Sequence, residues 1–326
     1  MSTPTRTIAV VGATGIQGSS VVKTFLGLPG WHVRALTRSP GSENAQSLKV
    51  LGAEIVQIDL ADPTSLEPAF DGVHAIFMNT NFWEVYRKTK DGKAAYNSEM
   101  RNSKNAVEAA ARVPTLQRFV YSGFGSMDKG SGGKYSGCYH WESKADVVDY
   151  VESTHADGLA KKTSIIYMGA YASNAFLYPK ANPETGEYAM VIPSAETMRM
   201  PIIDAVNTGL FVEALIVHEE PGKKLLAYDT DSYLTATELI ALWSKITGRK
   251  AKFVQVTLQA MYEMTHLPFE ILNGPAYVSE FGYTAGVDGI IEPEQLKHKV
   301  VTPSYEEYLK KQSLEQLLGV TPPEGY

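Results

Sequence analysis

Glycines 12, 15 and 18 punctuate the stretch GATGIQG, directly after the apolar run Ile8, Ala9, Val10, Val11 and directly before an amphipathic segment from Ile16 to Leu26. This pattern reads as strand, tight turn, helix. Such a turn lets the pyrophosphate of a dinucleotide approach the backbone, and the first turn of the helix offers an anion unpaired N–H groups and the positive end of a dipole. A glycine triplet alone is a weak signal, and its setting between a strand and a helix strengthens it. In folds that take NAD, an acid ends the second strand about twenty residues further on and holds the ribose 2′-hydroxyl. Here that place reads Thr37-Arg38-Ser39. A guanidinium pairs with a 2′-phosphate that an acid would repel, so the expected cofactor is NADP(H). Arg38 also fits the blander role of a solvated loop residue.

The second chemical pair is His140 and Lys144, whose spacing brings both side chains to one helical face. Histidine exchanges protons near neutral pH. Tyr135, Tyr139 and Ser122 are further hydroxyls close to the same expected sheet edge. As plain structure, His140 would be a satisfied polar residue at a helix start and Lys144 a helix-surface lysine.

The elements that must position these residues alternate. Strands are expected at Trp31 to Thr37, Glu54 to Ile58, His74 to Met78, Arg118 to Tyr121 and Thr163 to Met168, with helices between them, among them Gly92 to Arg112 and Trp141 to Glu152. That order predicts an α/β fold with a doubly wound parallel sheet, whose ligands lie at the carboxyl ends of the strands. The expected cofactor contacts are therefore Gly12, Thr14, Gly15, Ile16, Gln17 and Gly18 in the first turn, then Arg38, Asp59, Asn79, Asn81, Lys144 and Tyr167. Asn79 and Asn81 equally suit turns for their own backbone reasons. The loop DKGSGGKYSG, rich in glycine, is expected to be mobile and to order over a ligand.

Residues 1–170 are read as the dinucleotide-binding domain and 171–326 mainly as a smaller mixed α/β lobe, interleaved with the first around 202–232. Pro179, Pro183, Pro193 and Pro201 break the regular pattern there. Thr235 and Glu238 match a capping box that opens a helix to about Thr247. Phe176, Tyr178, Met198, Met200, Tyr277 and Phe281 are candidates for a substrate wall, or for plain core.

The 326-residue chain carries a formal charge of −6 with pI near 5.7, which argues against direct nucleic-acid binding. Cys138 is the one cysteine, so neither an internal disulfide nor a cysteine-based structural zinc site is expected, and no metal is assigned. MSTPTRT leads into the first strand without a basic leader and apolar stretch, and no run reaches the length of a membrane span. The expectation is a cytoplasmic protein with access to the nucleus.

Together GATGIQG, LTRSP, NTNFWE, FVYSG and the His140-x-x-x-Lys144 pattern resemble the NmrA-like group of atypical short-chain dehydrogenases/reductases. The likeness runs through residues 7–178 and continues more weakly to SYEEYLKK. It implies an extended Rossmann fold that binds NADP(H). Active members of the wider superfamily use a Tyr-x-x-x-Lys pair, the tyrosine handling the substrate proton and the lysine the nicotinamide ribose. Here Lys144 is kept, His140 stands in the tyrosine's place, and Tyr139 lies one position earlier, about 100° around a helix. The preferred expectation is an NADPH-dependent oxidoreductase on a small carbonyl or conjugated organic substrate, with Lys144, His140, Tyr139 and Ser122 as catalytic candidates. The resemblance also implies a rival: a non-catalytic NADP(H) redox sensor that controls regulatory proteins such as transcription factors. A homodimer suits either role.

Overall fold

The computed structural model describes residues 6–319. The first half alternates as β1 (Arg6–Val11), α1 (Ile16–Leu26), β2 (Trp31–Thr37), α2 (Glu43–Val50), β3 (Glu54–Gln57), α3 (Leu66–Phe70), β4 (Ala75–Met78), α4 (Phe82–Thr89), α5 (Gly92–Ala111), β5 (Arg118–Gly123), α6 (Met127–Gly130), α7 (Tyr139–Thr154) and β6 (Thr163–Met168). There follow β7 (Ala170–Tyr171), β8 (Lys180–Ala181), β9 (Tyr188–Ile192), β10 (Arg199–Ile203), α8 (Thr208–Glu213), β11 (Lys224–Ala227), β12 (Tyr233–Thr235), α9 (Ala236–Thr247), β13 (Ala251–Gln255), α10 (Leu258–Thr265), α11 (Phe269–Phe281), β14 (Ile290–Ile291) and α12 (Tyr305–Lys311).

Eight strands form the main sheet in the order β14-β11-β6-β5-β4-β1-β2-β3, every neighbouring pair parallel. This is the expected doubly wound sheet, and its order reverses between β1 and β4, where a ligand crevice opens in such folds. Two three-stranded sheets, β12-β10-β7 and β13-β9-β8, make up the smaller β structure. The prolines that interrupt the pattern are compatible with these short pieces, and Pro201 itself lies within β10.

Strand alternation explains the core. Ala9, Val11, Ile76, Met78, Phe119 and Tyr121 pack to one side with Val107 of α5 and Val148 of α7. Ile8, Val10, Phe77 and Val120 face the other side with Val21 and Phe25 of α1 and Phe211 of α8. Phe25 is fully buried and meets Trp31 edge-on at 5.0 Å between centroids. Burying a side chain of that size contributes about 3 kcal/mol. The capping box of α9 forms as expected, and Gly248 ends the helix at φ 69.

Three elements depart from expectation. A helix outside the expected series follows β4: Phe82 begins α4, which buries Phe82 and ends at Lys90 in a left-handed turn. Eight residues are too few to hold a helix alone, so packing of α4 on α5 decides. α7 starts at Tyr139 rather than Trp141, which takes Tyr139 and His140 into its first turn. α11 is hidden from sequence reading by Gly274 and Pro275 in its middle. The glycine-rich loop is also tied down: buried Tyr135 donates its hydroxyl to Glu280 of α11 at 2.8 Å, and Lys134 pairs with the same carboxylate at 2.5 Å.

Candidate active site

Each glycine of the first turn answers a different demand. Gly12 has φ +76, and a Cβ there would stand 2.8 Å from the carbonyl oxygen of Asn79, just beyond β4. A Cβ on Gly18 would drive into the Gly12 carbonyl. Those two positions are therefore required by the turn and by the helix lying close to the strand. Gly15 is different. It is exposed, has φ −83, and a Cβ would meet only the Gly12 oxygen at 3.4 Å. Packing leaves room for a side chain at Gly15, and that open face lies at the N-terminus of α1. The cradle thus fits a phosphate group.

Thr14 is half-buried and Ile16 exposed on the same turn, while Gln17 turns inward and donates to the Tyr171 hydroxyl at 2.6 Å. Arg38 follows β2 and makes a two-point pair with Glu84 of α4, one contact being 2.9 Å from Nη1 to Oε1. The Arg38 hydrogen bonds hold the Glu84 carboxyl down at about 2, against a smaller opposing effect of burial. Asp59 accepts from its own turn at the Ala61 N–H, 2.9 Å away, and Asn81 is exposed at the start of α4. Tyr167 is buried among core residues on the α7 side of the sheet.

Lys144 does not stand on an open helix surface. Its side chain is 11% exposed, and Nζ lies 3.2 Å from Glu99 of α5. The ammonium also donates to the Thr80 carbonyl at 3.0 Å and to Asn79 Oδ1 at 3.3 Å. Thr80 donates to Glu99 at 2.7 Å, and Ser143 bonds the other Glu99 oxygen. This network anchors the residues after β4 that Gly12 packs against. It joins the lysine to the glycine turn mechanically.

His140 sits one turn earlier, with its Nδ1 2.6 Å from Glu270 Oε1. The Glu270 carboxylate also accepts the backbone N–H groups of His140 at 2.7 Å and Tyr139 at 3.1 Å. A carboxylate from α11 thereby caps α7, whose own N-cap residue, Cys138, supplies no side-chain cap bond. The Cys138 thiol is pushed well up by burial and donates to the Glu270 carbonyl at 3.5 Å. Around the imidazole stand the rings of Trp83 at 4.9 Å, Phe82 at 5.9 Å and Phe124 at 6.4 Å between centroids. The result is an aromatic cluster with one titratable ring in it.

The structure brings Lys144 to Asn79 and Thr80 at the carboxyl edge of β4, and His140, one turn earlier on α7, to Phe82 and Trp83 of α4. It does not bring Ser122 to them. Alternation places Ser122 with Val120, opposite Tyr121, whose ring lies 6.0 Å from Lys144 Nζ. Tyr139 is half-buried and turns its ring towards Tyr96, centroids 6.0 Å apart. The expected substrate wall is largely core: Tyr178, Met198, Met200 and Tyr277 are all buried. Glu84, Glu99 and Glu270 escaped sequence reading. An acid among helical polar residues has no local mark, although Glu84 lies within the NTNFWE stretch that carries the family likeness.

A sheet reversing between β1 and β4, with a glycine cradle at that point, defines a Rossmann-type nucleotide-binding fold. Residues 4–309 match the NmrA-like family, and the chain belongs to it. The NmrA-like family domain-containing oxidoreductase notA of Aspergillus sp. (strain MF297-2) is 28% identical over 323 residues, covering 95% of this chain and 91% of the relative. The oxidoreductase FrzB of Cladobotryum sp. is 35% identical over 264 residues, covering 76% of each. Among solved structures, the negative transcriptional regulator NmrA in complex with NADP superposes with TM-score 0.66 at 20% identity, over 99% of this chain and 97% of that one. The leucoanthocyanidin reductase–NADPH complex from Vitis vinifera gives 0.66 at 17% identity, over 93% and 97%. These likenesses agree with the fold. Among the described residues, no helix is long and apolar enough to cross a membrane.

Proposed function

We propose that this chain is an NADP(H)-dependent oxidoreductase acting on a small carbonyl or conjugated organic substrate, with His140 exchanging the proton. The observation that carries the reading is the aromatic cluster around His140, one helical turn from Lys144, which itself reaches Asn79 beside the glycine turn. The turn from Gly12 to Gly18 would hold the pyrophosphate, Arg38 the 2′-phosphate, and Asn79 with Lys144 the nicotinamide ribose. When bound, the cofactor supplies a hydride. The chain's residues bind and orient the reactants, the rings of Phe82, Trp83 and Phe124 exclude water and favour a flat unsaturated substrate, and His140 handles the proton. The relatives named oxidoreductases and the complexes with NADP and NADPH support this reading.

The test is NADPH absorbance against a diverse panel of carbonyl and enone compounds, with cofactor binding titrated in the same samples. Saturable oxidation that His140→Gln abolishes supports the assignment; tight binding with no turnover across the panel overturns it.

A second reading, a cofactor sensor acting through a regulatory protein, is favoured by the Arg38–Glu84 pair. A 2′-phosphate arriving at Arg38 competes with Glu84, which sits on the helix that presents Phe82 and Trp83. Binding would then alter the surface around α4. Identical proteolysis and sedimentation with and without NADPH would sink this reading.

A further inference from the structure

We propose that Glu270 is the positioning residue of the proton-exchanging histidine, reaching it from α11. The inference rests on the reading of His140 given above. Glu270 is 7% exposed, and its carboxylate gathers three N–H donors: the ring of His140 and the backbone of Tyr139 and His140. An ionised carboxylate only accepts hydrogen bonds, so Nδ1 must carry the proton it shares with Oε1. The neutral ring therefore presents a bare Nε2, and the charged ring presents Nε2–H. Among the described residues the ring makes no hydrogen bond through Nε2; apart from Glu270 and the Cys138 thiol, 3.6 Å from Nδ1, its neighbours are aromatic.

The proton step follows from that tautomer. In the reducing direction the substrate oxygen takes the Nε2 proton as its double bond to carbon becomes single, the hydride having come from the reduced nicotinamide. The imidazole is left neutral, its remaining proton on Nδ1 and still donated to Glu270, and it recovers the lost proton from water. Glu270 keeps its charge throughout and touches neither substrate nor cofactor.

The local packing is built for this contact. A Cβ on Gly92, the first residue of α5, would lie 3.2 Å from Glu270 Oε2 and 2.6 Å from the Tyr139 ring, so a larger residue there would crowd both. Cys138 bonds the Glu270 carbonyl and fixes the first turn of α11. A cap alone would need only the two backbone contacts. The third, to Nδ1, orients the ring.

The test is the ¹⁵N spectrum of histidine-labelled full chain, recorded above the ordinary histidine titration range and assigned with His140→Gln, alongside turnover on the substrate found by the panel. A neutral His140 protonated on Nδ1, which loses that tautomer in Glu270→Ala, supports the proposal. So does a kcat for Glu270→Ala reduced by roughly 10²-fold with KM for NADPH little changed. Glu270→Gln keeps an acceptor for Nδ1 and retains the tautomer, which guards against a variant that merely fails to fold. Wild-type His140 protonated on Nε2, or a tautomer indifferent to Glu270→Ala, overturns the proposal. The tautomer result does not depend on turnover. A Glu270-held Nδ1–H with no turnover anywhere therefore supports the positioning role while overturning the oxidoreductase reading.

Discussion

The glycine turn and the His140 cluster share one edge of the sheet, yet they are assembled in opposite ways. Gly12, Gly15 and Gly18 are neighbours in the chain and take their positions from a single strand-turn-helix unit. The cluster needs Phe82 and Trp83 from α4, Phe124 from beyond β5, His140 from α7 and Glu270 from α11. One site is local, and the other exists only once α11 has docked. A substitution at Gly15 should thus separate binding from folding, whereas those in the cluster should couple orientation to packing.

The sharpest test of that difference is the joint between the two, the Lys144–Glu99 pair. Glu99 is 3% exposed, and removing one partner of a buried ion pair leaves the other charge uncompensated. Glu99→Ala should cost about 3–5 kcal/mol in urea unfolding. The double variant Glu99→Leu with Lys144→Met should recover much of the loss, because an apolar pair of similar volume replaces both charges. A cost below about 1 kcal/mol for Glu99→Ala would mean that this network does not hold the β4 edge.

Next in size is a matched pair inside the turn. Gly18→Ala forces a methyl group into the Gly12 carbonyl and should cost about 3 kcal/mol as overpacking. Gly15→Ala meets only a 3.4 Å contact, so the melting temperature should hardly move while NADPH affinity falls steeply. Calorimetry with parallel cofactor titration checks both. Should Gly15→Ala bind NADPH as well as the parent chain, the phosphate does not lie where the open face of Gly15 points.

The same contrast explains what the amino-acid sequence reveals. The α1 and β2 boundaries, the doubly wound sheet and the α9 capping box follow from short-range patterns of apolar spacing, glycine and caps. His140 and Lys144 are visible because their spacing falls within one helix. Glu270 is separated from His140 by 130 residues and sits in a helix masked by Gly274 and Pro275, so no periodicity announces it. Large apolar residues mislead for a related reason: Met200 and Tyr277 have the composition of a substrate wall, but long-range packing assigns them to the core and places Phe82 and Trp83 around His140.

The smallest expected effect concerns Arg38, which reads as a local residue of the cofactor edge yet is held by Glu84 from α4. The Glu84 carboxyl falls from 4.5 to about 2, first through the Arg38 hydrogen bonds. A depressed acid stabilises the fold above its unfolded value, so the contribution is complete above pH 4.5 and is lost as pH falls towards about 2. Both groups meet solvent, with the Arg38 side chain 58% exposed, so screening keeps the pair below about 1 kcal/mol. Glu84→Gln should remove that acid-side dependence with little change in stability at neutral pH. A 2′-phosphate no longer has to displace a carboxylate in this variant, so NADPH should bind up to about fivefold more tightly, the equivalent of 1 kcal/mol. NADH lacks the phosphate and should bind unchanged. If the two cofactors gain affinity together, Arg38 is not reading the 2′-phosphate, and Glu84 acts only by holding α4 against the end of β2.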